Sequence, residues 1–449
     1  MGILLKGGTL VLEDKVIIGD LRIDNELIKE IGQNLIPAND EEVIDVTGKH
    51  VLPGVIDAHV HYKMPIGKVY TVDNFETGSR AALCGGVTTV IDYAEPVEGL
   101  TLLESLDYRV KEAKGHNFVD YTVHMTISGD TPYTINDLRS FRAYGVNSLK
   151  LYTTYDFIMS YDMIFDVLRS AKAVGMEVTI HAEDNDIVAK AVKDLKSKDM
   201  TGVEYHSASR PSEAEYYAVE RIIEMCEKED LSAHIVHVSS GLTGELIGKA
   251  KARGVKISAE TCPHYLMLND EVYKRPDGQL FVMQPPLRNE AERTQLWDEL
   301  LKGTFDFVTT DHCAYSPHQK FMSNTFYETN GGIPGTETLL PVIYSQTVSL
   351  GKLDLLGVSK LLSVNPAKKF GLYPKKGVIK VGSYGDIVVV DPSLELELSN
   401  DMVHTAADYT TFNGLKIKGY PIMTILRGMV AYRDGMFLMG DPKGKFISC

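Results

Sequence analysis

Five side chains of metal-ligating type stand at or just after the ends of short apolar runs: His59, His61, His181, His237 and Asp311. One residue separates His59 from His61, so in an extended segment both imidazoles point to the same face. Two imidazoles on one face can chelate a divalent cation, and the other three side chains add nitrogen and oxygen donors of the kind that bind zinc. The set therefore predicts a metal centre.

Lys150 lies near the end of another short apolar run, Ser148 to Tyr152. An ammonium group beside a metal is repelled, whereas burial and nearby positive charge lower a lysine pKa and leave a nucleophilic amine. Reaction of that amine with carbon dioxide forms a carbamate, an anion whose two oxygens can bridge two cations. We therefore expect two divalent metal ions, with zinc as the expected metal, bridged by N6-carboxylated Lys150. The alternative is a lysine that extends from its strand into solvent.

A framework must bring these distant residues together, and the order of predicted elements indicates which one. Short apolar runs alternate with helical stretches in the manner of an α/β protein with a (β/α)8 TIM-like barrel. The eight runs are His50 to Ile56, Val87 to Ile91, Val119 to Met125, Ser148 to Tyr152, Glu177 to His181, Ala233 to Val238, Val255 to Glu260 and Phe305 to Thr310. Active sites of such barrels lie at the carboxyl ends of the strands, where the ligand-type residues stand.

The segment after Pro211 shows the helical pattern in detail. Its apolar stripe has the spacing i, i+3, i+4, i+7 and consists of Val219, Ile222, Ile223 and Cys226. Ser212 and Glu215 have the spacing of a capping box, in which each side chain binds the backbone of the other residue.

The two ends of the chain have a different pattern. Short β-prone runs such as Thr9 to Leu12 and Gly385 to Val390 are separated by glycine, proline and charged turns. This predicts a small β-sandwich domain built from both chain ends, residues 1–50 and 376–449, around a barrel formed by residues 51–375.

Charge and cysteine content exclude several classes of function. Lys and Arg number 46 and Asp and Glu 61 in 449 residues, a formal net charge of −15 that disfavours nucleic-acid and anionic membrane partners. We find no apolar run of about 18 residues that predicts a membrane span. The lack of such a run, and of a basic segment before the short apolar stretch in residues 1–8, predicts a cytoplasmic location. The five cysteines are scattered without a C-x-x-C pair, which argues against a disulfide framework or a structural zinc knuckle.

Several motifs together make the chain resemble the dihydropyrimidinase and D-hydantoinase family of metal-dependent cyclic amidohydrolases. The resemblance extends over nearly the whole chain. The segments that carry it are Gly54 to His61, Lys150 to Tyr155, Tyr205 to Pro211, Thr261 to Pro263, Pro285 to Arg288, Thr310 to Cys313, Asn330 to Gly332 and Asn365 to Ala367.

The resemblance implies roles for the ligand-type residues. His59, His61 and Asp311 resemble the ligands of one metal, His181 and His237 those of the second, and carboxylated Lys150 would bridge them. A hydroxide shared by the two metals would attack a cyclic amide, a dihydropyrimidine or a 5-substituted hydantoin, and open it to an N-carbamoyl amino acid. Asp311 would carry the proton to the leaving nitrogen. The family also implies a homotetramer.

Three further residues are implied to contact the small-molecule cyclic amide. Tyr155 resembles a tyrosine that donates a hydrogen bond to the scissile carbonyl oxygen, and Asn330 an asparagine that holds the ring through its backbone. Gln284 stands where the family usually has serine. His206, His264, His312, Cys262 and Cys313 are interpreted as structural residues.

Substrate preference follows from two loops that we expect at the barrel mouth. Residues 62–70 contribute Tyr62, Met64, Ile66, Val69 and Tyr70, and the loop after the fourth strand contributes Tyr155, Phe157, Ile158 and Met159. An apolar pocket favours apolar ring substituents, although Lys63 and Lys68 could accept an anionic one. Two alternatives remain: an allantoinase or other cyclic amidohydrolase such as a dihydroorotase, and a non-catalytic scaffold relative that lacks the metal set.

Overall fold

A computed structural model describes residues 2–66 and 69–449. The strands of this part of the chain are β1 (Ile3–Val11), β2 (Val16–Asp24), β3 (Leu27–Gly32), β4 (Glu42–Asp45), β5 (His50–Pro53), β6 (Val55–Asp57), β7 (Pro65–Ile66), β8 (Val69–Tyr70), β9 (Val87–Ala94), β10 (Asp120–Thr126), β11 (Ser148–Tyr152), β12 (Glu177–His181), β13 (Ala233–Ile235), β14 (Ile257–Thr261), β15 (Phe307–Val308), β16 (Ile387–Glu397), β17 (Lys416–Leu426), β18 (Met429–Arg433) and β19 (Met436–Phe437).

The α-helices are α1 (Phe75–Cys84), α2 (Leu102–Ala113), α3 (Ile135–Tyr144), α4 (Tyr161–Val174), α5 (Asn185–Ser197), α6 (His206–Ser209), α7 (Ser212–Glu229), α8 (Gly241–Ala252), α9 (Pro263–Met267), α10 (Glu290–Lys302), α11 (Pro317–Lys320), α12 (Leu339–Thr347), α13 (Leu355–Ser359) and α14 (Asn365–Lys369). Short 3-10 turns cover Val203–Tyr205, Asp270–Lys274, Gly278–Phe281, Thr336–Thr338 and Asn400–Met402, and a π turn covers Lys360–Val364.

Eight parallel strands form the predicted barrel, in the order β15-β14-β13-β12-β11-β10-β9-β6. The two outer strands meet through the segments that follow them, where the His61 backbone N–H donates to the His312 carbonyl at 2.7 Å. Strand β9 is buried along its whole length, as a parallel strand covered on both faces must be. Large side chains including Phe307 and Phe370 fill the interior below the mouth. The predicted fold class is confirmed.

Both chain ends supply the second sheet, in the order β19-β18-β17-β16-β5-β1-β2-β3, with β4 beside β1. Its apolar face forms a separate core that includes Leu5, Leu21, Val51 and Ile387. Buried Lys376 joins this sheet region to the barrel, because its Nζ lies 2.6 Å from Asp120 in β10 and 2.5 Å from Asp386.

The prediction of one strand from His50 to Ile56 is wrong. His50–Pro53 pairs with β1 and β16 in the terminal sheet, whereas Val55–Asp57 pairs with β9 in the barrel. Gly54 lies at the change of sheet, and a Cβ there would overlap the Thr88 side chain. A continuous apolar run does not reveal this change, since the strands in both sheets are buried.

The capping box predicted for Ser212 and Glu215 is also wrong. Ser212 is the first residue of α7, and no side-chain cap forms at its start in the described structure. The Glu215 carboxylate instead accepts hydrogen bonds from the backbone N–H and hydroxyl of Ser239 and from the Ser240 N–H. The predicted apolar stripe of this helix is buried, which confirms that part of the prediction.

Within residues 2–66 and 69–449, no helix combines the length and the apolar character needed to cross a bilayer.

Candidate metal centre

The ligand-type side chains lie at the carboxyl ends of barrel strands. His59 and His61 follow β6, Lys150 lies in β11, His181 ends β12, His237 follows β13 and Asp311 follows β15. Because the strands are parallel, these ends share one rim. The backbone of His237 has φ +39° and that of Asp311 φ +49°, a left-handed conformation that non-glycine residues adopt mainly where the surrounding structure holds them.

Asp311 lies against the histidine pair. Its Oδ1 stands 3.2 Å from Nε2 of His59 and 3.2 Å from Nε2 of His61. Ligand atoms of His59, His237 and Asp311 all lie within 4.8 Å of one another. Two imidazole nitrogens and a carboxylate oxygen therefore converge on one small volume.

The other two histidines face each other. Nδ1 of His181 lies 2.9 Å from Nε2 of His237, and both rings are buried. Burial lowers the pKa of His181 and that of His237, so both rings are neutral and offer lone pairs at neutral pH. Nδ1 of His61 is also a buried nitrogen without a hydrogen-bond partner in the described part of the chain. A donor set of this composition and burial fits divalent cations.

Lys150 lies inside this ring of donors, 1% exposed, with its Nζ 5.1 Å from the ring centre of Tyr93 and 5.0 Å from that of Tyr152. Burial lowers its pKa below the ordinary value, although Asp311 and Glu260 act in the opposite direction. A lowered pKa increases the fraction of neutral amine, the form that reacts with carbon dioxide. These surroundings do not match the alternative of a solvent-exposed strand terminus.

Glu260 is a contact of this centre that the sequence analysis missed. Its Oε1 lies 2.7 Å from Nδ1 of His59 and its Oε2 lies 3.0 Å from Nε2 of His234, and all three side chains are buried. A carboxylate on the far nitrogen of a ligating histidine fixes the ring and its tautomer. The signal was present, because Glu260 ends the seventh predicted apolar run just as the ligands end theirs.

A second missed group supports His181. Oε2 of Glu183 lies 2.8 Å from Nε2 of His181, and Arg210 pairs with the same carboxylate at 2.5 Å. Burial raises the pKa of Glu183, but Arg210 and His181 outweigh it and hold that pKa well below its ordinary value. Glu183 stands two residues after His181. Because side chains alternate between the two faces of an extended segment, this spacing places Glu183 on the same face as His181 and could have identified it as a contact of the centre.

Tyr155 completes this side of the centre. Its hydroxyl lies 3.4 Å from Nε2 of His181, and the Arg210 guanidinium lies 5.0 Å from its ring centre. Its φ of +77° shows that the loop holds it in a left-handed conformation. Burial raises the Tyr155 pKa far above its ordinary value, so the hydroxyl keeps its proton and can donate it in a hydrogen bond.

Gln284 and Asn330 lie on neighbouring loops. A Cβ added to Gly331 would stand 3.2 Å from Cδ of Gln284. The Asn330 side-chain amide donates to the Gln319 carbonyl, and the Asn330 carbonyl accepts from the buried Nζ of Lys320 at 2.7 Å. The Asn330 backbone is therefore held by an internal contact.

The predicted apolar loops need correction. Tyr62 is fully buried and packs edge-on against Phe75 and His312, and Met159 is buried in the same core, so neither faces the mouth. Tyr70, Phe157 and Ile158 are exposed. Gly67 and Lys68 of the first loop lie outside the described residues, and the side chain of Ile66 is likewise not described.

The remaining histidines make internal contacts. Nε2 of His206 lies 2.8 Å from the Met283 carbonyl, and Nε2 of His312 lies 3.0 Å from Asp73. His264 is buried against the Tyr265 ring, but its Nε2 has no hydrogen-bond partner in the described part of the chain. Cys262 and Cys313 are buried as well.

Comparison with known proteins places the chain among hydrolases. Residues 50–431 match the family model described as Amidohydrolase family. The chain is 33% identical to D-phenylhydantoinase of Escherichia coli O9:H4 (strain HS), over 100% of this chain and 98% of that protein. It is 32% identical to the dihydropyrimidinase structure from Brevibacillus agri (TM-score 0.96, 100% and 98% covered) and 36% to D-hydantoinase from Thermus sp. (TM-score 0.95, 99% and 98%).

Proposed function

The chain belongs to the amidohydrolase family, and from that premise we propose that it is a cyclic amidohydrolase of the dihydropyrimidinase and hydantoinase type. Its substrate is a dihydropyrimidine or a 5-substituted hydantoin, and its product is the ring-opened N-carbamoyl amino acid. The observation that carries this proposal is full-length similarity to such enzymes together with the convergence of the ligand-type side chains at one rim. That convergence does not favour the non-catalytic scaffold, which lacks the metal set.

The cofactor of this proposal is a pair of divalent cations, with zinc expected. His59, His61 and Asp311 would hold one and His181 and His237 the other, with N6-carboxylated Lys150 between them. The neutral buried imidazoles and the buried lysine of lowered pKa support this assignment. When bound, such cations lower the pKa of a water molecule and polarise a carbonyl oxygen.

The side chains of the protein supply the proton transfer and the orientation. Asp311 is 13% exposed at its side chain and faces the mouth, so its carboxylate can accept the proton of the attacking water and return it to the ring nitrogen that leaves. The protonated Tyr155 hydroxyl donates a hydrogen bond to the carbonyl oxygen as negative charge develops there, an interaction whose loss costs about 2.7–4 kcal/mol in comparable sites. Glu183 and Arg210 keep His181 and Tyr155 in place.

Substrate contacts complete the site. Tyr155, Gln284 and Asn330 are proposed to contact the cyclic amide. The exposed side chains of Tyr70, Phe157 and Ile158 are proposed to contact the substituent of the ring. Each Å² of apolar surface buried contributes about 25 cal/mol, which favours apolar ring substituents over an unpaired ureido or carboxylate group.

We further propose a cytoplasmic homotetramer. In each chain residues 1–50 and 376–449, together with the rest of β5, which pairs in the terminal sheet, form one domain, and the residues between them form the barrel. The unpaired state of all five cysteines supports a reducing compartment. Mass measurement in solution tests the tetramer, and a mass of one or two chains would refute it.

A substrate panel tests the proposed reaction. Metal-loaded protein is assayed with dihydrouracil, dihydrothymine, 5-substituted hydantoins, allantoin and dihydroorotate, with the Asp311→Asn variant as the control. We expect the apolar dihydropyrimidines and hydantoins to have the highest kcat/KM. A higher kcat/KM for allantoin or dihydroorotate than for every apolar ring would overturn the substrate class, and elemental analysis giving one metal or fewer per chain would overturn the two-metal centre.

A further inference from the structure

A second cluster of metal-ligating side chains lies outside the barrel mouth. Cys84 ends α1, Glu337 lies in the turn Thr336–Thr338, and His404 lies in the segment between β16 and β17. One ligand atom from each lies within 4.8 Å of the other two. Since the Leu83 carbonyl accepts a hydrogen bond from Thr424 of β17, the cluster stands where the barrel meets the terminal sheet.

Glu337 and His404 form a tight pair at this cluster. Nδ1 of His404 lies 2.6 Å from Oε1 of Glu337, and the His404 backbone N–H donates to Oε2 at 2.6 Å. The hydrogen bond to Glu337 raises the pKa of His404, and burial raises the pKa of Glu337, so the pair holds one proton between them and carries no net charge. Burial and the Glu337 charge raise the pKa of the Cys84 thiol, which is therefore protonated when no cation is present.

Charge balance allows a divalent cation in place of two protons. A carboxylate, an imidazolium and a thiol carry no net charge together, and neither do a carboxylate, a neutral imidazole, a thiolate and a divalent cation. Binding would release the thiol proton and the imidazole proton, and it would leave the buried charge of the cluster unchanged. No uncompensated charge is then created in the interior.

Exposure provides a path to the cluster. The His404 side chain is 34% exposed, that of Glu337 is 6% exposed, and Cys84 is fully buried. A cation arriving from solvent meets the imidazole first, and the thiol closes the inner end. Solvent can also supply a fourth ligand on the open side, as in tetrahedral sites with three protein ligands.

We propose that Cys84, Glu337 and His404 form a third metal site, separate from the barrel mouth, for a thiophilic divalent cation such as zinc or cadmium. Thiolate and imidazole donors select such cations over magnesium or calcium. Tetrahedral metal bonds of about 2.0–2.3 Å place ligand atoms about 3.3–3.8 Å apart. Oε1 of Glu337 and Nδ1 of His404, 2.6 Å apart in the metal-free chain, would therefore separate as the cation enters between them.

Cadmium titration tests this site with the full chain. Protein loaded with only two Zn²⁺ per chain, enough for the barrel mouth but not for the third site, is titrated with Cd²⁺. The ultraviolet thiolate-to-cadmium charge-transfer band, the bound cadmium and the retained zinc are measured. We expect one additional Cd²⁺ per chain, with the band and with proton release. Cys84→Ser should remove the band and the additional cadmium, whereas Cys226→Ser, a change at another buried cysteine, should keep both.

Two further variants keep the test decisive. His404→Ala alters a partly exposed side chain and should reduce the affinity for cadmium at least tenfold without loss of the fold. Lys150→Ala should retain the cadmium band, so failure of the proposed catalytic function would not remove it. A band that persists in Cys84→Ser, or no band in the unaltered protein, would overturn the proposal.

Discussion

Replacing Glu260 with glutamine is expected to weaken metal binding at the barrel mouth while the fold is kept. The Glu260 carboxylate lies 2.7 Å from Nδ1 of His59 and 3.0 Å from Nε2 of His234. It accepts the His59 Nδ1 proton, which leaves the Nε2 lone pair directed at Asp311 and the proposed metal. Burial raises the pKa of Glu260 to about 8, so its ionised form depends on a nearby positive charge such as a bound cation. Glutamine can still accept that proton and can donate to His234, but it cannot ionise and so cannot make the His59 ring more basic.

The expected magnitude follows from the hydrogen bonds that each substitution removes. Loss of such a histidine partner typically costs 10–100-fold in metal affinity, or about 1.4–2.8 kcal/mol. Glu260→Gln keeps both hydrogen bonds and removes only the charge, so we expect about tenfold weaker binding. Glu260→Ala removes both hydrogen bonds and frees the His59 ring to rotate, so we expect about 100-fold.

Competition with a chelator of known affinity measures this effect on the metal dissociation constant of each purified variant. Glu299→Gln is the matched control, because Glu299 is equally buried but its partners are Lys302 and Thr304 in another part of the barrel. Its dissociation constant should equal that of the unaltered protein. Denaturant unfolding of the metal-free proteins checks that any weakening is not a loss of fold.

Metal binding that stays within about twofold in both Glu260 variants would refute this reasoning. It would mean that packing alone orients His59. Equal weakening in Glu299→Gln would likewise show that the effect is a general one of removing a buried charge.

Three substitutions at the barrel mouth and one in the terminal sheet test other contacts of the chain. Lys150→Ala should abolish turnover, and short carboxylic acids with excess metal should restore part of it; unchanged turnover would refute the bridging role. Asp311→Asn should reduce kcat about 10²–10⁴-fold in a folded protein, and near-normal kcat with full metal content would point to another base. Arg210→Met should lower kcat and also weaken metal binding, because it removes the cation that lies against Tyr155 and pairs with the Glu183 carboxylate beside His181; unchanged kcat and unchanged metal content by elemental analysis would contradict it. Asp20→Asn should reduce the free energy of unfolding at pH 7 by about 1.5–3 kcal/mol. The reason is that hydrogen bonds from a lysine and two backbone amides outweigh burial and lower the Asp20 pKa. In denaturant unfolding, the difference between the two proteins should shrink as the pH falls below about 3.9, and a difference that stays constant would contradict the prediction.

The sequence predicted the barrel well because its strands are short and buried on both faces, which leaves compact apolar runs between amphipathic helices. All eight runs overlap a barrel strand. The boundary at Gly54 was missed for the same reason, since an apolar run looks alike in either sheet. The Ser212 capping box failed because Glu215 binds Ser239 and Ser240, residues that only the folded chain brings near.

The sequence by itself determined which residues could bind a metal, because strand ends in a parallel barrel share one rim and the types of the residues there are visible in the chain. Only the tertiary structure decided how those residues are supported. Glu260 reaches His59 across 201 positions of sequence, a separation at which no local periodicity carries information. Likewise, Tyr62 is as apolar as Tyr70, yet one is fully buried and the other 56% exposed. Burial and pairing between distant segments depend on the whole packed chain, and they set the charge, the tautomer and the access of the site.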